Sequence, residues 1–230
     1  MLRFLTTFMN WPPQKRSSEK IMTDMEPIEL AKIYCGCMEE IKARVNIILT
    51  FNEGKITTGS DVTDVEFICL QFRKVLELIA LSSIAPNKEE YSKQREKFHK
   101  DWHANRILKE LERINPDFYP CPIKQAAALT ESVKHFEEMG ENYLKREEFE
   151  NIYDHLGGLL HANNPFGQKK DFAHTRKQFG EWTTKIINLL NFHSVKIINL
   201  AQVWLVVMSD PADSKVHTYI GEAADKFLIK

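Results

Sequence analysis

The chain has 230 residues, 43% hydrophobic and 27% charged, with a formal net charge of −1. That length and composition suit one domain, or one domain with an elaboration, carrying a sizeable core. The near-neutral balance removes any global electrostatic pull toward nucleic acid and leaves only a local basic patch as a route to it.

Residues 1–25 open the chain as a tail. Its apolar part, Leu2, Phe4, Leu5, Phe8 and Met9, is interrupted by threonines and ends at Trp11-Pro12-Pro13. No small-residue cleavage site follows, so the tail reads as poorly ordered or docked on a partner, and only weakly as a transit peptide. No stretch approaches the ~18 apolar residues of a membrane span, so no membrane association is expected.

From Ile28 to Phe51 the residues Leu30, Tyr34, Cys37, Met38, Ile41, Val45, Ile48 and Leu49 recur at three and four, which predicts one helix with a single apolar stripe. A second helix is predicted over Val62–Ile84. Its extra leucines, Leu70, Leu78 and Leu81, widen the stripe and place it near the centre. Pro86 ends it. Asn87, with acids following, reads as the cap of a more polar helix over Lys88–Ile114 that turns Phe98 and Trp102 inward.

Asn115-Pro-Asp-Phe-Tyr-Pro-Cys-Pro122 cannot be regular helix and reads as a packed loop. A short helix is predicted from Thr130 to Gly140, another over Arg146–Ala162 and a last over Lys169–Phe192. The β-branched run Ala201–Met208, turn residues Ser209–Ser214 and the run Lys215–Ile220 predict a hairpin. A lone hairpin is marginal in water, so it must lie on the bundle or pair with another subunit. The expected fold is mainly α, an antiparallel bundle of five to six helices with a small C-terminal β-hairpin.

Four cysteines, Cys35, Cys37, Cys69 and Cys121, show no CxxC and no paired Cys/His spacing. They read as reduced thiols in a reducing cytoplasm, with no metal or cofactor implied.

Chemistry concentrates in YDHLGGLLHANNPFG, Tyr153–Gly167. Its histidines, His155 and His161, are six residues apart, about 600° of helical rotation, so they point roughly 120° apart. That spacing excludes an i, i+4 metal pair. They could share a cleft if the helix unwinds at Gly157-Gly158, or if a symmetry mate supplies the second wall. Two glycines in a helix cost about 1 kcal/mol each against alanine. Close approach of another backbone is the simplest compensation.

Lys169, Lys170, Arg176 and Lys177 would form a basic rim. Helix-terminal capping by the histidines, and ordinary charged surface for the lysines and Arg176, are the competing readings. His99 and His103, at i, i+4 with Arg106 beyond, read as a solvated polar face.

A helix-borne polar residue, about five intervening residues and a histidine, at the end of a penultimate helical segment, resembles the HEPN superfamily (higher eukaryote and prokaryote nucleotide-binding domains). Its ribonuclease members carry an arginine, four to six residues, then a histidine, and dimerise across a composite cleft. They often sit in toxin–antitoxin, phage-defence and RNA-processing systems. The resemblance covers roughly residues 28–85 and 145–193, leaving 86–144 and the terminal hairpin at 195–230 as elaborations on a core spanning 26–194.

His161 stands at the family histidine. The arginine position falls on Asp154, His155 or Leu156, so the pattern here is His155-x5-His161, with a group of pKa ~6.5 replacing a permanent cation. The resemblance implies a homodimer and a non-catalytic module binding a protein, nucleotide or RNA partner in a prokaryotic defence or regulatory system. The alternative is a metal-independent ribonuclease in which His155 and His161 exchange protons with the ribose 2′-hydroxyl and the leaving oxygen. In that reading Asp154 and Asn163 could orient an imidazole or a phosphate, and Tyr153 could stack on a base.

Overall fold

The computed structural model describes residues 2–3, 26–95, 98–126, 133–134, 136–198 and 202–223. The expected tail at 1–25 lies almost wholly outside them. A two-residue strand β1, Leu2–Arg3, precedes helix α1, Pro27–Asn52. Proline at the first helical position loses no hydrogen bond there. Its buried face is Ala31, Tyr34, Met38, Ile41, Val45, Ile48 and Phe51; of the expected stripe, Leu30 and Cys37 are half-buried and Leu49 is exposed.

Gly54 (φ +71°) and Gly59 (φ +103°) carry the turn into helix α2, Asp61–Ser82. The buried Asp64 carboxylate pins that turn by accepting hydrogen bonds from the Thr57 hydroxyl and from the Thr58 backbone and hydroxyl. The Thr58 amide, the largest influence, helps hold the carboxyl below its ordinary range. α2 packs against α1 and three later helices, the expected central position, although Leu70 is exposed and Leu78 and Leu81 are half-buried.

The single helix expected over Lys88–Ile114 is two. α3 is Lys88–Gln94 and α4 is Ala104–Ile114, separated by a 3-10 turn at Phe98–Lys100. Asp101 accepts hydrogen bonds from Tyr91 (3.1 Å) and from Arg95, so a tertiary bridge folds the chain where helical period alone would continue it. Trp102, expected inside, is 64% exposed. Asn87 does not cap α3. Its buried amide donates to the Ser83 carbonyl and accepts from Asn115.

The larger correction concerns the second half. Helix α5, Arg146–Leu160, and helix α6, Phe172–Leu190, match their predictions closely. Around them runs a sheet and not a lone hairpin. Its strands are β2, Cys121–Gln125; β3, Val133–Lys134; β4, Phe136–Glu138; β5, Phe192–Lys196; β6, Gln202–Val207; and β7, His217–Ala223. The antiparallel order is β4–β2–β5–β6–β7, continued past β7 by β1 and β3.

The described fold is therefore five helices of eleven residues or more, with the short α3, packed on an antiparallel sheet. It is not an α-bundle with a small hairpin. The helix expected at Thr130–Gly140 is strand at 133–134 and 136–138 and irregular at 139–140, with 130–132 and 135 outside the described residues.

The β6–β7 hairpin forms as predicted and lies on α1. Trp204 meets Tyr34 edge-on at 5.9 Å, and Lys42 donates to the Met208 carbonyl. Beneath it His193 is fully buried. The Leu190 carbonyl, 2.7 Å from Nδ1, can only accept, so Nδ1 carries the proton and Nε2 accepts from the Tyr34 hydroxyl at 2.7 Å. Among the described residues no helix is long and apolar enough to cross a membrane.

Candidate functional site

α5 carries the expected site, and its two ends are built differently. At the start, the Glu148 carboxylate accepts from the Lys145 backbone N–H at 3.2 Å. At the finish, Lys170 donates to the carbonyls of Leu159 (3.0 Å) and His161. The helix stops because His161 is extended (φ −74°, ψ 154°), and the Lys170 ammonium satisfies carbonyls that would otherwise be orphaned. Lys170 thus caps the end of α5.

His155 turns toward α6. Its Nε2 lies 3.0 Å from the Thr175 hydroxyl, and its ring meets Trp182 edge-on at 5.9 Å. Thr175 donates its own proton to the Asp171 carbonyl, so its oxygen accepts and His155 carries its proton on Nε2. Desolvation, and then the nearby charge of His174, hold the His155 pKa below its ordinary value. His155 therefore favours the neutral ring at neutral pH and supplies no permanent cation.

His161 is exposed beyond the end of α5, and its imidazole makes no hydrogen bond among the described residues. The structure brings His155 to Thr175 and His174, not to His161. Sequence reading left His174 and Thr175 without a role. They lie about twenty residues from His155, across a turn whose geometry no local pattern reveals.

Tyr153 is 1% exposed. The Arg73 guanidinium covers its ring at 4.1 Å and donates to its hydroxyl at 2.8 Å, while Phe149 stacks beside it. The ring offers no face to a base. Asp154 is exposed and accepts from Asn105 (2.9 Å), tying α5 to α4 and not orienting an imidazole. Asn163 and Lys169 are exposed.

Gly157 does admit a close neighbour, but a side chain and not a backbone. A Cβ there would lie 2.5 Å from Arg73 Nη1, whereas one at Gly158 would meet open space. Arg73 also pairs with Glu77 at 3.3 Å within α2, and both bond the Tyr153 hydroxyl, so the glycine makes room for the group that ties α5 to α2.

The connection between α5 and α6 is what remains open. Asn164 closes a turn on Phe166 and Gly167, which leaves the Phe166 ring 96% exposed. Across residues 155–180 the only acid is Asp171, and its carboxylate caps α6 by accepting from the His174 N–H at 2.8 Å. The same stretch holds Lys169, Lys170, Arg176 and Lys177 with three histidines. Arg176 pairs with Asp61 (3.3 Å), while Lys169 and Lys177 form no ion pair among the described residues. No family model, curated protein or solved structure matches the chain.

Proposed function

We propose that this chain is a non-catalytic, HEPN-like module that holds single-stranded RNA on the exposed α5–α6 connection. The carrying observation is the acid-poor stretch 155–180, with four Lys/Arg side chains, three histidines and a solvent-facing Phe166. Cations that track phosphates, beside an aromatic face on which a base can stack, are what sequence-tolerant single-strand binding requires.

The HEPN-like relationship concerns α1, α2, α5 and α6, which pack on one another around α2. The ribonuclease alternative loses ground because His155 favours the neutral ring, is bonded to Thr175 and has no Lys or Arg bonded to it among the described residues.

The test is fluorescence anisotropy with a labelled, unstructured RNA. Lys169→Glu with Lys177→Glu should weaken binding about tenfold or more. The salt slope should also fall by about 1.4, the amount expected when two phosphates are no longer neutralised on a single strand. Phe166→Ala should weaken binding by about 1–3 kcal/mol if one base stacks there. Unchanged affinity and salt slope in the double variant would remove the proposed face.

A further inference from the structure

A second site lies at the opposite end of α5. A cleft of about 420 Å³ opens between the Pro116–Cys121 loop, the first turn of α5 and β5. That volume falls in the ~300–1,000 Å³ range of small-molecule sites. We infer that this cleft binds a small molecule in which one carboxylate is joined to a flat ring, held between Tyr119 and Tyr143 with its anion on Arg146 and Lys145.

The anion assignment rests on Arg146. Its side chain is 14% exposed, yet its nearest carboxylate oxygens, on Glu112 and Glu150, stand off at 3.5 and 4.0 Å. Its Nε is enclosed without a partner, so only the terminal nitrogens are left to meet a ligand, and the guanidinium makes no hydrogen bond among the described residues. A planar five-donor group in that state is charge-balanced but short of acceptors, and a carboxylate matches its fork. Lys145, exposed beside it, adds a second cation at the rim.

The ring assignment rests on the tyrosines. The Tyr119 hydroxyl donates to the Leu144 carbonyl at 3.2 Å, which fixes its ring in the wall, and Tyr143 is half-buried beside it. The acids limit the ligand's charge. Asp117 is taken up by Lys196 at 3.3 Å, but Glu138 and Glu147 also border the cleft and oppose a polyanion. A single negative group fits, and an RNA strand does not. The cleft's thiol, on Cys121, is pushed up to about 11, chiefly by burial, so it is protonated and takes no part.

The experiment is a titration of the ¹⁵N-labelled chain with benzoate at millimolar concentration, followed by amide chemical shifts. Saturable shifts are expected at 117–121, 143–147 and 194–196. Arg146→Gln or Lys145→Gln should weaken binding about tenfold or more, and neutral benzamide should bind as poorly, since the charge-assisted fork is lost in each case. Lys145 is exposed, so its variant decides the matter even if Arg146→Gln does not fold. No saturable shift, shifts confined to 155–177, or equal binding by Lys145→Gln would overturn the assignment.

Discussion

Lowering the pH from 7 to 4 is expected to remove about 3 kcal/mol of stability through His193 alone. Burial holds this imidazole down to about 4, against an ordinary 6.5. The folded value is depressed, so the fold prefers the neutral ring. Its contribution is whole above about 6.5, declines as pH falls and is gone near 4. The cause is geometric. Nδ1 already donates to Leu190 and Nε2 already accepts from Tyr34, so a second proton would break the Tyr34 bond and leave a charge in the core.

Urea unfolding of the native chain and of His193→Phe at several pH values measures this directly. The single variant should lose about 2–4 kcal/mol at pH 7, because it removes the imidazole partner of the buried Leu190 carbonyl and Tyr34 hydroxyl. Its stability should then fall less between pH 6.5 and 4 than that of the native chain. Adding Tyr34→Phe should recover part of the loss. Parallel pH curves for native and variant would show that His193 does not titrate as its burial requires.

Removing Arg73 should cost about 2–3 kcal/mol, since Arg73→Ala deletes a cation over the Tyr153 ring, a hydrogen bond to its hydroxyl and a half-buried partner of Glu77. The effect should couple to Gly157. In the native background Gly157→Ala gains about 1 kcal/mol of helix propensity but drives its Cβ into the guanidinium, so the net change is zero or unfavourable. In the Arg73→Ala background the obstruction is gone, and the same substitution should stabilise by about 1 kcal/mol. Gly158→Ala, facing open space, should gain about that much in either background. A cycle that closes additively would mean Arg73 does not occupy the groove over Gly157.

Where apolar residues recur over three turns or more, the fold was legible. α1, α2, α5 and α6 all follow their stripes, and the β6 run Gln202–Val207 declared itself by its branched, apolar content. The sheet was not, because its other strands carry weak local signals. β5 follows α6 after a single residue and places a polar group, His193, at one of its two buried positions. β2 contains Pro122, normally a mark against a strand, and β4 has one apolar residue in three. The break between α3 and α4 depends on Asp101 reaching Tyr91 and Arg95, a bridge with no periodicity to betray it.

The site divides in the same way. The basic residues of the α5–α6 connection can be read from the chain itself. Which of them are engaged cannot, since Lys170 is drawn to carbonyls of α5 and Arg176 to Asp61 on α2. Tyr153 looked available because a tyrosine among histidines suggests stacking. Only the packing of α2 on α5 shows its ring covered by Arg73.

Binding of RNA by the α5–α6 face without cleavage is tested most directly by incubating an unstructured RNA pool with the protein in EDTA and following retention and integrity together. The expected result is RNA that is retained and full length, with retention lost in the Lys169→Glu, Lys177→Glu variant. RNA that is cut despite chelation, and left intact by His155→Ala or His161→Ala, would contradict it and establish a metal-independent ribonuclease.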